Sequence, residues 1–486
     1  MNTNNRYSNA LMESMNYCFL PKSIAVIGAS RDSDRELKTG WVGRLVRYQY
    51  QGKIYPINPN ATEILGIKAY PSVTSVTDSI DYAIISVPSE LVPSQVKDCV
   101  AKNIKVIHVY TAGFAETGTT EGKRLQAEIK EILKGSQTRL IGPNCMGVYC
   151  PASKLTFDVR FPQESGSIAF ISQTGVGGRR LINLATGRGL RFSKVVSYGN
   201  ALDLNGTDFL EYIAVDPDTK IILLYLEGLQ DGTRFFRLLR ECTKEKPVVL
   251  LKAGLSESGA GAAASHTGSL AGSRQVWQAL FRQTGALPVE TLEEAVEQLI
   301  ALQNMLPVKG KRVGLVGRGG GIGVITSDMC EREGLNVPQF SLQVREQLQK
   351  MTEAGSTNRN PVEIGLGQKG VSKYYVDAIK LVASDPVIDV VITFLNPEDY
   401  LHYGITGWLE DIITSLVEAN KSISKPLAAA ILSGNDVQVF EASLNIQRKC
   451  QEAGISCFLT LDAAVKAISK LATYYEYKFG NESQYL

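Results

Sequence analysis

Short apolar runs alternate with helix-like segments along the chain, and this alternation constrains the fold more than any other feature. The first run, SIAVIGAS at residues 23–30, is β-branched and ends in small residues. These runs are apolar on both faces, and the segments between them, such as VPSQVKDCVAKN, have helical patterning. Strands that are covered by helices on both faces form parallel sheets. The pattern therefore predicts an α/β protein.

The alternation begins afresh twice, at Gly166 and at Lys311. Each series opens with a strand, a turn of small residues and the start of a helix, without a repeat of fixed period. A chain of 486 residues is also too long for a single hydrophobic core. We therefore predict three α/β domains at residues 1–150, 151–307 and 308–486, with a linker at 306–311.

Composition argues against several classes of protein. The net charge is +2 without a cluster of Lys and Arg, which gives no support to a nucleic-acid partner. The eight cysteines form no CxxC pair, which favours free thiols over disulfides or a zinc site. The N-terminus is polar, and no apolar run is long enough for a membrane span. We therefore expect a cytoplasmic protein.

The ends of the predicted strands in the first series carry residues suited to binding an anion. The turn at Gly28, Ala29 and Ser30 presents backbone N–H groups that could hold a phosphate. The GxGxxG fingerprint is absent, which argues against a dinucleotide bound in the usual NAD manner. The other strand ends carry Asn58-Pro59, Val87-Pro88, Thr111-Ala112-Gly113 and Pro143-Asn144-Cys145. A nucleotide-like ligand and ordinary βα turns both explain these residues.

Two features of the second series indicate a polar site at the carboxyl edge of its sheet. The turn ISQTG places amides and hydroxyls just past a strand, where they suit an anion or simply cap a helix; its residues are Ser172, Gln173, Thr174 and Gly175. Glu227 ends the apolar run IILLYLE, and its carboxylate could orient an imidazole. A helix N-cap or an exposed edge residue is the alternative for Glu227.

The segment AAASHTGSLAGS contains His266, one of three histidines in the chain. The Gly, Ala and Ser residues before it predict a loop, and an amphipathic helix is predicted after it. A histidine on such a loop is a candidate nucleophile toward phosphorus, with a structural role as the alternative. His108 lies within an apolar run and is predicted to be a core residue. The turn GRGGGIGV at 317–324 is explained by phosphate binding or by tight subunit packing.

Together these segments resemble the α subunit, or α half, of the NDP-forming acyl-CoA synthetases. That group includes ADP-forming acetyl-CoA synthetase and, more distantly, succinyl-CoA synthetase. The resemblance runs in order through IAVIGAS, GKIYPINPN, TAGFAE, IGPNCMG, ISQTG, YGN, LEGLQDG, KPVVLLKAG and SHTGSLAGS, with NPVEIG following later. It implies a Rossmann-like CoA-binding domain followed by two flavodoxin-like domains with parallel sheets.

The resemblance also implies a role for each candidate residue. His266 is expected to be phosphorylated during turnover, and Glu227 to support it. The turn of Ser172, Gln173, Thr174 and Gly175 is expected to bind phosphate. The residues expected to hold CoA are Gly28, Ala29, Ser30, Asn58, Pro59, Val87, Pro88, Ala112, Gly113 and Asn144. No metal-binding residue is implied in this chain.

The implied activity is that of an acid–thiol ligase. An acyl-CoA, phosphate and ADP are converted reversibly to a carboxylic acid, CoA and ATP through an acyl phosphate and phosphohistidine. Mg²⁺ and ADP or ATP are expected on a separate ATP-grasp β subunit, because no further segment of the chain suits that domain. The resemblance favours an α₂β₂ assembly, or a homodimer if the chain is alone. The alternatives are a non-catalytic acyl-CoA-binding or assembly protein and, less well supported, an NAD(P)-dependent oxidoreductase.

Overall fold

A computed structural model describes residues 9–267, 272–351, 357–364, 372–402, 407–434 and 436–482. The chain divides into two compact units: Met1–Thr186 with Leu190–Glu290, and Gly187–Gly189 with Thr291–Leu486. The first unit contains two large sheets and the second contains one, and nearly all their strand pairs are parallel. The α/β class that the alternation predicts is confirmed.

The first sheet has the strand order β2-β1-β5-β6-β7, and its neighbouring strands are parallel. Strands β1, β5 and β6 are buried along their whole length, which explains why their sequences are apolar at nearly every position. The elements are α1 (Asn9–Phe19), β1 (Ser23–Ile27), α2 (Ser33–Thr39), α3 (Trp41–Arg47), β2 (Lys53–Ile57), β3 (Glu63–Ile64), β4 (Ile67–Lys68), β5 (Tyr82–Ile85), α4 (Val92–Ala101), β6 (Val106–Val109), α5 (Thr120–Leu133) and β7 (Arg139–Ile141).

The second sheet has the order β13-β12-β11-β9-β10-β8 and is parallel except at its edge, where β8 runs antiparallel to β10. Its elements are β8 (Gly147–Tyr149), β9 (Ile168–Ser172), α6 (Val176–Gly187), β10 (Phe192–Ser197), α7 (Gly206–Val215), β11 (Ile221–Leu226), α8 (Gly232–Glu245), β12 (Val248–Lys252), α9 (Glu257–Thr267), α10 (Arg274–Thr284) and β13 (Leu287–Val289). Strand β8 precedes the predicted boundary at residue 150 yet pairs with this sheet; the boundary itself stays a prediction.

The second unit has a parallel sheet of order β15-β14-β16-β17-β18. Its core is mainly aliphatic and includes Val316, Val391 and Leu395. The elements are α11 (Leu292–Asn304), β14 (Val313–Gly317), α12 (Gly320–Arg332), α13 (Leu342–Met351), β15 (Val362–Glu363), α14 (Ser372–Ser384), β16 (Val390–Leu395), α15 (Pro397–His402), α16 (Trp408–Ser422), β17 (Leu427–Ile431), α17 (Val437–Glu452), β18 (Ser456–Phe458) and α18 (Leu461–Glu482).

The strand orders place a switch point in each sheet of the first unit. After β1 the chain adds β2 on one side and β5 on the other, and after β9 it adds β10 on one side and β11 on the other. The connections leave the sheet in opposite directions at such a point, so a crevice opens at the carboxyl ends of the two strands. Ligands of open α/β sheets bind in that crevice.

One local prediction is wrong. The residues before His266, predicted to form a loop, belong to helix α9, which begins at Glu257 and ends at Thr267. The alanines of this stretch are the best helix formers, and here they outweigh the helix-weakening glycines. The predicted linker at 306–311 has neither helix nor strand.

The eight cysteine side chains are all buried and free. Across the described ranges, every helix is too short or too polar to span a lipid bilayer.

A buried ion pair makes the stability of the second sheet testable. The Nζ atom of Lys194 on β10 lies 2.7 Å from an Asp216 carboxylate oxygen, and the two side chains are 4% and 5% exposed. Replacing Lys194 with Met removes the cation that contacts the buried Asp216 carboxylate, which costs about 3–5 kcal/mol. We expect a large drop in the urea-unfolding midpoint, measured by circular dichroism.

Lys53→Met is the matched control for Lys194→Met. Its ion pair with Asp78 has the same 2.7 Å length, but both side chains are well exposed. We expect its midpoint to equal that of the unchanged protein, because exposed pairs contribute little. Equal midpoints for the two variants would contradict the assignment of a structural role to the buried pair.

Candidate active site

A cavity of about 500 Å³ lies in the first unit, at the carboxyl ends of both of its sheets. Loops that follow β5, β6 and β7 contribute Val87, Ala112 and Asn144 to its lining. The turn between β9 and α6 contributes Gln173, Thr174 and Gly175. The structure therefore brings three residues expected to hold CoA and three expected to bind phosphate to one cavity.

Hydrogen bonds among the loops of the first sheet set the shape of their side of this cavity. The Thr111 hydroxyl donates to the Val87 carbonyl at 2.7 Å, and the Asn144 N–H donates to the Thr111 carbonyl at 3.0 Å. These two hydrogen bonds connect the loops that follow β5, β6 and β7. Gly199 lies against these loops, because a Cβ added to it would stand 2.3 Å from the Asn144 carbonyl oxygen. Glycine permits this close approach.

Asn200 lines the same cavity and joins the two sheets of the unit. Its amide nitrogen donates to Glu116 at 2.5 Å and to Gln126 at 3.1 Å. The other Glu116 oxygen accepts the N–H of Gly113 at 2.7 Å. Gly113 is thus held in position through an acid that sequence reasoning did not single out.

The turn after β1 is closed by an acid of the chain itself. Gly28 has φ +91°, and a Cβ on it would lie 2.5 Å from the Ser86 carbonyl oxygen. Asn58 donates to the Ala29 carbonyl at 2.8 Å. The Ser30 N–H, a predicted phosphate donor, instead donates to the Glu36 carboxylate at 2.7 Å. Glu36 is buried, so its charge occupies the anion position at this turn.

The remaining predicted CoA residues lie apart from the cavity wall. Seven predicted residues are not part of the wall as the described residues form it: Gly28, Ala29, Ser30, Asn58, Pro59, Pro88 and Gly113. Gly28, Ala29, Ser30, Asn58 and Pro59 follow β1 and β2, which neighbour each other in the sheet. They form a second group at the same carboxyl edge.

Glu227 lies at the switch point between β9 and β11, directly after the last residue of β11. The Gln173 side-chain oxygen accepts the N–H groups of Glu227 at 2.8 Å and of Gly228 at 3.1 Å. Gln173 and Glu227 are each 5% exposed. The predicted phosphate turn therefore holds the backbone of the predicted supporting acid.

The other residues of this turn have separate functions. The Ser172 hydroxyl donates to the Thr174 carbonyl at 2.7 Å, which closes the turn on itself. Gly175 faces Met146, whose Cγ would lie 3.0 Å from an added Cβ. A larger residue at position 175 would therefore push into the cavity wall.

Three ionisable side chains beside Glu227 have shifted pKa values. Burial, together with the Glu227 charge, raises the pKa of Tyr198. Burial, together with the Glu227 charge and a hydrogen bond to it, raises the pKa of Tyr225 to about 12. Burial lowers the pKa of Lys252 to about 8, although the Glu227 carboxylate opposes this effect. At neutral pH, Tyr225 is therefore a neutral hydroxyl donor and Lys252 is mostly a cation.

His266 and His108 lie in different elements of the first unit. His266 belongs to helix α9, but its side chain lies outside the described residues. His108 lies in β6, with Nε2 3.2 Å from the Cys145 carbonyl oxygen. Burial lowers the pKa of His108 to about 4, which keeps the ring neutral. The prediction that His108 is a core residue is confirmed.

The glycine-rich turn at the start of α12 also has an acid of its own. The Gly320 N–H donates to the Glu363 carboxylate at 2.8 Å, at the N-terminus of the helix. A carboxylate satisfies both the open N–H group and the positive end of the helix dipole. The Gly320 N–H therefore already has an anionic partner within the chain, and phosphate binding and subunit packing stay predictions for this turn.

Sequence reasoning missed Lys252, Tyr225, Trp277 and Asn200 at this site. A signal for Lys252 was present, because PVVLLK ends an apolar strand in a charge as IILLYLE does. Trp277 had no such signal, since its position beside Lys252 depends on how α10 packs against the sheet.

Comparisons with known proteins agree with the two-sheet arrangement of the first unit. Residues 22–151 match the family model of a CoA binding domain. Residues 165–302 match the model described as a succinyl-CoA ligase like flavodoxin domain.

Individual proteins match over nearly the whole chain. The acetate–CoA ligase [ADP-forming] II subunit alpha of Pyrococcus furiosus is 38% identical over 420 residues, covering 86% of this chain and 90% of that protein. The acetate–CoA ligase [ADP-forming] I of Archaeoglobus fulgidus is 36% identical over 462 residues, covering 95% of this chain and 64% of that protein.

A solved structure agrees with the fold. It is the dinucleotide forming acetyl-coenzyme A synthetase 1 of Ca. Korarchaeum cryptofilum in complex with phosphate and ADP. It aligns with a TM-score of 0.82 at 31% identity, covering 96% of this chain and 98% of that chain.

The geometry at Gly28 gives a prediction about the first turn. Gly28→Ala introduces a left-handed alanine and a 2.5 Å clash with the Ser86 carbonyl oxygen. Gly66→Ala is the control, because Gly66 also has a positive φ of +77° but open space around it. Left-handed strain costs about 1–2 kcal/mol in both variants. We expect the thermal unfolding temperature to fall distinctly further for Gly28→Ala; equal losses would contradict the close approach of the two loops.

Proposed function

The chain belongs to the ADP-forming acyl-CoA synthetase family, as its motifs predict, and we propose that it works as the α subunit that binds CoA and accepts a phosphoryl group. The cavity is the observation that carries this proposal. Its wall combines the predicted CoA residues Val87, Ala112 and Asn144 with the predicted phosphate turn. A thioester and a phosphate that react with each other need such a shared space.

CoA is the proposed substrate, with its thioester end in the cavity. The rest of the molecule would be held by the loops after β1 and β2 and by two residues next to the cavity wall. The loop residues are Gly28, Ala29, Ser30, Asn58 and Pro59, and the other two are Pro88 and Gly113. Because the Ser30 N–H already binds Glu36, the phosphates of CoA would have to use other groups of this turn.

The first step forms an acyl phosphate. A phosphate oxygen attacks the thioester carbonyl carbon, the carbon–sulfur bond breaks, and CoA leaves with the electron pair on sulfur. Ser172, Gln173, Thr174 and Gly175 precede helix α6, whose first backbone N–H groups and dipole stabilise negative oxygens.

The second step moves the phosphoryl group to His266. A ring nitrogen attacks phosphorus, the bond from phosphorus to the acyl oxygen breaks, and the carboxylic acid leaves as its anion. Glu227 would accept the N–H of the other ring nitrogen and balance the positive charge that develops on the imidazole. The switch point of the second sheet supports this role, because Gln173 holds Glu227 beside the phosphate turn.

In the third step phosphohistidine passes its phosphoryl group to ADP, with Mg²⁺, on an ATP-grasp β subunit. The naming of the Pyrococcus furiosus relative as a subunit alpha supports a separate partner. The Archaeoglobus fulgidus relative has more than a third of its length beyond the match, which suits a partner fused to the chain. We propose an α₂β₂ complex in the cytoplasm, where the free thiols stay reduced.

Phosphorylation of His266 is directly testable. The full chain, alone and with an ATP-grasp partner, is incubated with acetyl-CoA, phosphate and Mg²⁺ and then examined by intact mass and phosphosite mapping. We expect one acid-labile phosphoryl group on His266. His266→Ala should take up none while CoA affinity in a titration is unchanged.

His402→Ala is the control for the His266 variant, and it should still be phosphorylated. If the unchanged chain takes up no phosphoryl group under either condition but binds CoA tightly, the non-catalytic acyl-CoA-binding protein is favoured instead. Phosphate incorporated into His266→Ala would place the acceptor at another residue.

Glu227→Gln tests the supporting acid. Glutamine keeps the volume and the backbone contacts but cannot balance a positive imidazole, so we expect phosphorylation of His266 to slow by about 10²-fold or more. The KM for acyl-CoA should stay unchanged. Rapid-quench measurement of the phosphohistidine provides the rate.

Glu363→Gln is the matched control, because Glu363 is also a strand-end acid, and its carboxylate accepts the backbone N–H of Gly320. Its phosphorylation rate should equal that of the unchanged chain. A Glu227→Gln variant with an unchanged rate would remove Glu227 from the mechanism.

A further inference from the structure

Lys252 is a buried cation next to Glu227 at the carboxyl edge of the second sheet. It is the last residue of β12, stands opposite Leu226 of β11 and is 6% exposed. Its Nζ donates to the Glu227 carbonyl at 2.8 Å and to the Ala253 carbonyl. Burying a lysine head costs free energy unless it is well bonded, so these contacts account for its position.

The same ammonium group contacts an aromatic ring from another element. Nζ of Lys252 lies 5.3 Å from the ring centroid of Trp277, which is buried on helix α10. A cation over an indole face is attracted by the ring quadrupole, most strongly where water is excluded. Gly272 lies against the same indole, because an added Cβ would be 3.1 Å from Trp277 Nε1.

These contacts join the two ends of one chain segment. Residues 253–276 lie between Lys252 and Trp277 and include His266. The Lys252 ammonium group contacts Ala253 at the start of the segment and Trp277 directly after its end. It also donates to the backbone carbonyl of Glu227. One side chain therefore fixes the base of the histidine segment against the supporting acid.

We propose that Lys252 is a positioning residue for phosphoryl transfer, which clamps the base of the segment that carries His266 and holds it at Glu227. The proposal rests on the function proposed above for His266. Lys252 acts through His266 and Glu227, whose relative position it sets. A small misplacement of the nucleophile lowers the rate steeply.

The charge of Lys252 supports this role and supplies a readout. Burial lowers its pKa to about 8, and Glu227 is the charged group in the described part of the chain that counteracts this. The other titratable side chains beside Glu227 are Tyr225, whose pKa is raised to about 12, and Tyr198, whose pKa burial and the Glu227 charge also raise. Both stay neutral over this range. Below about pH 8 the ammonium keeps all three N–H donors and its attraction to Trp277. Above that pH it loses a proton, and the clamp weakens.

The test compares Lys252→Met, Lys252→Arg and Lys246→Met. Lys246 is the matched control: its Nζ also donates to two backbone carbonyls, those of Ile213 and Asp216, but it precedes β12 at the opposite edge of the sheet. The full chain, with the ATP-grasp partner added, is mixed with acetyl-CoA, phosphate and Mg²⁺ between about pH 6 and pH 10. Rapid quench measures the rate of phosphohistidine formation, and circular dichroism checks folding.

We expect the unchanged chain to lose rate above about pH 8 and Lys252→Met to be slower by at least about tenfold at neutral pH. Lys252→Arg should recover much of the rate and lose the decline above pH 8, because arginine stays charged. Lys246→Met should match the unchanged chain. Trp277→Leu, which removes the ring but keeps the cation, should fall between the unchanged chain and Lys252→Met.

An unchanged rate in Lys252→Met overturns the proposal, as does an equal loss in Lys246→Met, which would indicate general destabilisation. If Lys252→Met does not fold, Lys252→Arg and Trp277→Leu decide in the same way: unchanged rates and pH profiles in both overturn the clamp. Absence of phosphohistidine in the unchanged chain is a separate result, which overturns the function proposed for His266 and therefore this proposal with it.

Discussion

The pair of hydrogen bonds from Glu227 and Gly228 to the Gln173 side chain is the interaction on which the site depends. It spans the switch point between β9 and β11, where the connections part and leave a crevice. A buried N–H group without a partner costs about 1–3 kcal/mol, so one amide oxygen that accepts two of them holds both loops firmly. Glu227, the proposed supporting acid, is therefore tied directly to the proposed phosphate turn. Lys252, the last residue of β12, joins a third strand end to those of β9 and β11, because its Nζ donates to the Glu227 carbonyl.

The three strand–turn–helix openings of the chain resemble one another in sequence but differ in what occupies their N–H groups. At the first opening Glu36 accepts the N–H of Ser30, and at the third Glu363 accepts the N–H of Gly320. Each carboxylate does what a bound phosphate would do at such a turn. At the second opening, Gln173, Thr174 and Gly175 line the cavity instead. An anion brought by a substrate would therefore be expected at the second opening. This contrast is invisible in the sequence, because the acids approach from residues 6 and 43 positions later in the chain.

Prediction from sequence succeeded where the information is local. Apolar runs such as that of β11 indicate strands buried on both faces, and the order of the motifs identified the family, which the relatives confirm. The strand-end rule also placed Val87, Ala112 and Asn144 at the correct edge. Prediction from sequence failed at helix α9, where glycines suggested a loop although alanines stabilise a helix. Sequence reasoning also overlooked Lys252: the charge that ends PVVLLK was a signal, but a lysine at a strand end is usually solvated, and its burial appears only in the structure.

The sequence by itself determined the fold class, the family and the edge of each sheet at which polar residues would gather, because strand periodicity and strand ends are properties of neighbouring residues. The tertiary structure decided which of those residues share a cavity and which turns are already filled by the chain's own acids. It also decided that the Lys252 head meets Trp277 and the Glu227 carbonyl. Such contacts join residues that are 25 positions or more apart, and their formation depends on strand order and helix packing, which no local pattern encodes.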